Sequence, residues 1–234
     1  MGRFWFNGRC CSEFGIVASG EHTYNAPQLD LTALQIPGVN GDLLISRRRY
    51  KNISVVYPCG IVHHFASRAE AARAWLLAPQ GYCRLEDDYS PGTYRLGCFF
   101  GPIDFDMDFL NRAGTADLTF TCKPQRYLKS GESPIQLTAP GSLYNATLFD
   151  ALPLITVTGD SAGSLTVDGF TVEIRALDGA LTLDCELQNA YKGTENKNNT
   201  IYAPEFPRLA PGENAVSWTG GVTGVSITPR WWTL

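Results

Sequence analysis

The chain is short of the residues that most chemistry needs. Its 234 residues include three histidines and two methionines, and its seven cysteines contain no CxxC pair. HExxH and P-loop patterns are absent, and no cysteine has a suggestive histidine neighbourhood. A carboxylate pair for glycoside hydrolysis would meet only in space, so the sequence leaves that open. Nothing predicts a cofactor, a metal or an enzyme. No apolar run approaches the roughly 20 residues a helix needs to span a bilayer. Phe4-Trp5-Phe6 is broken at once by Asn7, Gly8 and Arg9, so no export signal is read at the N-terminus. The net charge is −4, which argues against general nucleic-acid binding, where affinity comes mainly from basic neutralisation of phosphate.

What is present is apolar mass punctuated by turns. Hydrophobic residues make up 44%, enough for a packed core. The 23 glycines and 14 prolines suit an all-β chain with many short strands. Composition changes along the chain: it is close to neutral up to Ser133 and acidic from Pro134 onward, and six of the seven cysteines precede the change. This predicts two domains, residues 1–133 and 134–234. The cysteines are expected as reduced, mostly buried thiols; adjacent Cys10 and Cys11 make a strained pair.

One helix stands out. Ala69 to Ala78 is rich in helix formers, with Ala72, Trp75 and Leu76 on one face. Ser67 and Glu70 have capping-box spacing, and Pro79 is the expected stop. Elsewhere the pattern is strands and turns. Asn7-Gly8 reads as a tight hairpin turn. Pro37-Gly38 and Asn40-Gly41 are two further turn signals, and Gly20 to Ser46 is the candidate for an arm. Arg47-Arg48-Arg49 separates two β-rich pieces and is expected at a hairpin tip. Asp104, Asp106 and Asp108 alternate with Phe105, Met107 and Phe109, as on a half-buried strand with acids outward. The second part has several short strands with turns at Asp168-Gly169 and Asp178-Gly179, which suggests a β-sandwich.

Four blocks carry a family resemblance: FWFNGRCCSEFGI (Phe4 to Ile16), IPGVNGDLLISRRRYKNISVVYPC (Ile36 to Cys59), the helix block through Gly81-Tyr82, Asp87-Asp88 and Tyr94-Arg95, and the C-terminal NATLFDALPLITVTG, FPRLAPGENAVSW and PRWW. In order and spacing, over nearly the whole chain, they resemble the distal tail proteins of long-tailed bacteriophages. The chain departs from that pattern at Val39, where a basic residue is usual, and in the run Arg47 to Arg49.

The resemblance implies a mainly β chain. Its N-terminal β-sandwich would carry one α-helix and a protruding arm, and its C-terminal β-sandwich would be galectin-like, with a final strand able to pack back on the first domain. It implies a homohexameric ring at the virion tail tip, made in the bacterial host cytoplasm. The ring would join the tail tube protein to tail-tip, tail-associated and receptor-binding proteins. DNA would pass through the lumen without specific binding, and no membrane is involved. A galectin-like shape is no proof of sugar binding, so a carbohydrate-binding adhesion module is the alternative.

Candidate site residues follow. Arg47, Arg48 and Arg49 are expected to make a charged contact across the ring. Of Trp231 and Trp232, at most one fits easily in the core, and Trp231 is assigned to a ring or partner surface. Glu86, Asp87, Asp88, Asp104, Asp106 and Asp108 are expected to face the lumen, where negative walls keep DNA from sticking. His63-His64 is not read as a metal site, because strand neighbours point to opposite faces.

Overall fold

The computed structural model describes residues 2–19, 25–108 and 112–234. The side chain of Asp108 also lies outside the described set, as do Gly20 to Tyr24 of the expected arm and Phe109 of the expected strand. The fold is mainly β, with one α-helix among the described residues. The chain divides into two compact units, one of residues 1–126 with Leu234 and one of residues 127–233.

The first unit contains β1 (Phe4–Phe6), β2 (Arg9–Cys10), β3 (Ile16–Ala18), β4 (Leu29–Gln35), β5 (Asp42–Tyr50), β6 (Ile53–Val62), α1 (Phe65–Leu77), β7 (Cys83–Asp87), β8 (Thr93–Cys98), β9 (Asp106–Asp108) and most of β10 (Ala113–Leu128). One sheet runs in the order β2-β1-β7-β8-β10-β6-β3. It curls until its ends meet, because Gly2 bridges Ala18 at the far edge. Its long central pair is β6 and β10, which run together over ten residues from Ile53↔Cys122 to Val62↔Ala113. Alternate residues of both strands are buried, among them Val55, Tyr57, Ile61, Leu118 and Phe120. Phe4 of β1 stacks on Tyr57 of β6 at 4.9 Å and meets Phe120 edge-on at 5.6 Å, so distant strands of the sheet face one another across a core of rings.

Helix α1 closes that core. Ala69, Ala72, Trp75 and Leu76 form its buried face. Trp75 stacks on Phe14 at 4.3 Å, and its indole N–H donates to the Phe6 carbonyl at 3.2 Å. The expected start is corrected. The helix begins at Phe65, two residues before Ser67, after His64 in a left-handed conformation (φ 49°). Ser67 therefore sits in the first turn, where its hydroxyl donates to the His64 carbonyl at 3.1 Å in place of a capping box.

The second unit contains β11 (Ile135–Leu137), β12 (Gly141–Asn145), β13 (Leu154–Val167), β14 (Phe170–Ile174), β15 (Gly179–Asp184), β16 (Asn189–Lys192), β17 (Glu195–Asn196), β18 (Ile201–Tyr202), β19 (Gly212–Thr228) and β20 (Trp232–Thr233). Two long strands, β13 and β19, pair with each other and run through both layers of a sandwich. Their one ends pair with β15 and β11, their other ends with β14 and β12. The passage between layers falls at register shifts around Gly159 and Gly163. Backbones approach so closely there that a Cβ on Gly159 would strike the Gly221 carbonyl oxygen. The core between the layers is aliphatic, with Ile155, Val157, Leu165, Val172, Leu183, Val225 and Ile227 all buried.

A partly buried ion pair ties the residues after β19 to β15. Arg230 donates from both terminal nitrogens to Asp184, at 2.8 and 3.1 Å. The backbone N–H groups of Glu186 and Leu187 donate to the same carboxylate. Burial opposes ionisation of Asp184, but these hydrogen bonds and the Arg230 charge outweigh it and hold the carboxyl below its usual range.

Candidate assembly surface

Among the described residues of the first unit, the hairpin β4–β5 stands out because only Asp30 of its two strands is buried. It is a separate two-stranded ribbon, paired from Leu31↔Ser46 to Gln35↔Asp42. Turn chemistry at its tip is explicit: Gly38 and Gly41 have φ of 83° and 85°, which glycine adopts without penalty. The expectation for Arg47, Arg48 and Arg49 is corrected here. They lie inside β5 at the foot of the ribbon, and residues 36–41 form the tip. The register shift between Leu29 and Leu31 absorbs extra residues of β5, and Arg48 takes φ 54° within that bulge.

Register fixes which side chains share a face. Cross-strand partners point the same way, so Thr32, Leu34, Leu43 and Ile45 lie on one face and Leu31, Ala33, Leu44 and Gln35 on the other. Both faces are in water. Exposure is 51% at Leu34, 49% at Leu43, 50% at Ile45, 40% at Leu31 and 61% at Leu44, with Val39 at 61% on the tip. A lone two-stranded ribbon is marginal in water, and contiguous exposed apolar surface marks an interaction site. The sequence held a signal for this: Leu43-Leu44-Ile45 is a run of consecutive apolar residues, which no strand can turn to a single face.

Charge gathers at the foot. Arg49 donates to Asp30 at 2.8 Å. That hydrogen bond, with the nearby charges of Arg47 and Lys51, holds the Asp30 carboxyl below its usual range. Arg47 and Arg48 are exposed.

The expected acids fall into two groups. Glu86 pairs with Arg84, and Asp88 with Arg3 at 3.1 Å. Asp87 accepts from the Tyr57 hydroxyl at 2.8 Å and from the backbone of Tyr89 and Ser90. All three are thus engaged within their own unit. Asp104 and Asp106 are exposed and border an open concavity of about 960 Å³ over β6 and β10, joined there by Asp117, which the sequence reading missed. The alternation expected around them is only partly present. Phe105 packs edge-on against Phe65 at 5.5 Å, but Met107 is 59% exposed, and β9 spans only Asp106–Asp108. Backbone pairing with β10 orients this short strand, not burial of one face.

Trp231 is corrected as well. It is buried in the second core, while Trp232 lies at the edge, stacked on Phe149 at 4.4 Å and donating to the Asp150 carbonyl. His63 and His64 are exposed, and among the described residues no group of three His, Cys, Asp or Glu could hold a metal ion. Burial pushes the thiols of Cys59 and Cys185 up to about 12 and that of Cys11 up to about 11, which keeps them protonated and unreactive.

No family model matches the chain, and no curated protein matches it in sequence. Among solved structures, its fold is similar to that of the SPP1 Dit protein, described as a paradigm of the hub adsorption apparatus in phages that infect Gram-positive bacteria. That likeness has a TM-score of 0.78 at 12% identity and covers 100% of both chains. Chains of the phage P2 baseplate in its activated conformation are also similar. With calcium the TM-score is 0.54 at 6% identity, and with strontium 0.52 at 7%, each covering 97% of both chains. The chain therefore has the fold found in these hub and baseplate proteins.

Proposed function

We propose that this chain is the structural hub of a phage tail tip. It assembles as a hexameric ring that joins the tail tube to baseplate or receptor-binding proteins. The ribbon β4–β5 carries the proposal: its apolar side chains are exposed on both faces among the described residues. Such surface is retained when another molecule covers it. A ribbon that leaves its own body and lies on the next copy makes a heterologous contact, and contacts of that kind close into rings when the rotation fits. The full-length likeness to a hub protein points the same way.

Within that ring, Arg47 and Arg48 contact the neighbouring copy and fix register more than they add affinity. Asp104 and Asp106 face the channel, where fixed negative charge repels passing DNA. Glu86, Asp87 and Asp88 contribute less, since each is already engaged locally. The mechanism is assembly and not catalysis. The protein is made in the host cytoplasm and resides in the virion tail tip. Native mass measurement tests this: a sharp six-subunit species is expected, and a strict monomer at every concentration would refute self-assembly of the chain.

A second reading is adhesion to carbohydrate through the second unit. One observation favours it. Tyr144 and Tyr202, 72% and 51% exposed, stand on the outer side of the layer that holds β12, β14 and β18. Open aromatic faces suit sugar rings. A glycan array probed with the full chain decides it, and binding lost on Tyr144→Ala would support this reading.

A further inference from the structure

In the second unit, β13 changes partners along its length. It pairs with β15 from Leu154 to Gly159 and with β14 from Gly163 to Val167, and residues 160–162 pair with neither. A strand that passes between layers in this way leaves a notch between its old partner and its new one. Here the notch is a cleft of about 470 Å³, inside the range of about 300–1,000 Å³ found for small-molecule sites. Small residues keep it open: Ala162 on the crossing segment, Ala176 on the connection from β14 to β15, and Ala180 on β15. Leu177 and Leu181, 5% and 3% exposed, give it an aliphatic floor.

Polar groups of both signs border that floor, and each is held in place. Lys192 donates to the Asp178 carbonyl at 2.6 Å, and Lys197 donates to the Glu195 carboxylate at 2.7 Å. The backbone of Lys197 is anchored too: its N–H donates to the Ala190 carbonyl, and its carbonyl accepts from the Thr200 hydroxyl at 2.7 Å. An ammonium has about three protons to give and a carboxylate about four acceptor sites, so these bonds leave both kinds of group with capacity to spare.

The charges around the cleft balance, with Lys192 and Lys197 against Asp178 and Glu195. A purely anionic ligand would meet the carboxylates, and a purely cationic one the ammonium groups. A ring bearing several hydroxyls meets neither penalty. Each hydroxyl can accept from a lysine and donate to a carboxylate, while the C–H face of the ring lies on the aliphatic floor.

We propose that this cleft binds a neutral polyhydroxylated ring, such as a single sugar unit. The site is separate from the outer face that carries Tyr144 and Tyr202, and it rests on neither reading above. Its lining contains no aromatic ring, so binding is weak, with a Kd on the order of 1 mM.

Saturation-transfer NMR on the full-length chain tests this. The probes are glucose, galactose and N-acetylglucosamine, with glycerol phosphate as the anionic comparison, each at about 10 mM. At least one sugar is expected to receive saturation, strongest on the ring protons of one face, and glycerol phosphate is expected to receive less. Ala180→Leu and Ala176→Leu, both at exposed positions of the lining, fill the cleft and should each abolish the signal. A thermal melt checks that each variant is folded. Glu195→Gln and Lys192→Met should each weaken binding roughly tenfold. Tyr144→Ala should change nothing. Absence of transfer to every sugar overturns the inference, and so does transfer that survives both cleft-filling variants. Transfer lost on Tyr144→Ala but kept in the filled cleft places binding on the outer face and overturns it as well. Stronger transfer to glycerol phosphate than to any sugar overturns the ligand class.

Discussion

The first unit is packed with rings and the second with branched aliphatics. Phe4, Phe6, Phe14, Tyr57, Trp75, Phe99 and Phe120 meet in one cluster, whereas Ile155, Val157, Leu165, Val172, Leu183, Val225 and Ile227 fill the other. Rings need particular centroid distances and angles, so each depends on several others. Aliphatic side chains between two sheets are more interchangeable at equal volume. The units also differ in closure. The second exposes large apolar residues at scattered positions such as Leu148 and Leu187, while the first places a contiguous row of them on the ribbon.

The largest effect expected from this contrast is at Trp75. Trp75→Ala removes two stacking partners and a hydrogen bond and should cost about 3–5 kcal/mol. In calorimetry, the transition of the first unit should fall while that of the second stays in place. Movement of both by equal amounts would break the two-unit description. Ile155→Val, a volume-reducing change in the aliphatic core, should cost only about 0.5–1.5 kcal/mol.

Asp184→Asn comes next, at about 1–3 kcal/mol, since it leaves the partly buried Arg230 with Glu186 at 3.6 Å as its remaining carboxylate. The folded-state pKa of Asp184 is depressed, so its contribution is present above its ordinary value of about 4 and is lost as pH falls through the folded value. Wild type should therefore lose thermal stability more steeply than the Asn variant as pH falls below about 4. Parallel profiles would show that another group governs acid sensitivity.

Gly159→Ala should cost about 1–3 kcal/mol in the second unit alone, because the added Cβ meets the Gly221 carbonyl and the strand must shift. Smallest is Leu44→Ser on the ribbon, expected within about 0.5 kcal/mol of wild type for folding while assembly weakens. A large loss of folding stability there would mean that the ribbon packs on its own body.

Legibility followed local physics. The helix announced itself through Ala69 to Ala78, and its buried face was read from spacing alone. Its start was not, because a left-handed His64 begins it, and neither residue type nor pattern signals that geometry. The turn residues Pro37-Gly38 and Asn40-Gly41 marked the ribbon tip, whereas the arginine run was given a turn that its strand pairing does not contain. Charge alone says a segment is solvated and leaves its backbone undetermined. The acids Asp104 and Asp106 were legible, but their companion Asp117 was not, since it reaches the concavity from a strand paired in space. For Trp231 and Trp232, alternation separates an inner from an outer side, but the assignment of Trp231 to the surface is wrong, because Trp231 is the one in the core.

One consequence concerns the two long strands β13 and β19. Because each crosses from one layer to the other, the layers of the second unit share covalent backbone. Tension applied to one layer passes directly into the other through these strands. Parting the layers would straighten both strands at the bend near Gly159 and Gly163 and leave the β13–β19 ladder paired, so the two layers stay tied along that pair even when their faces separate.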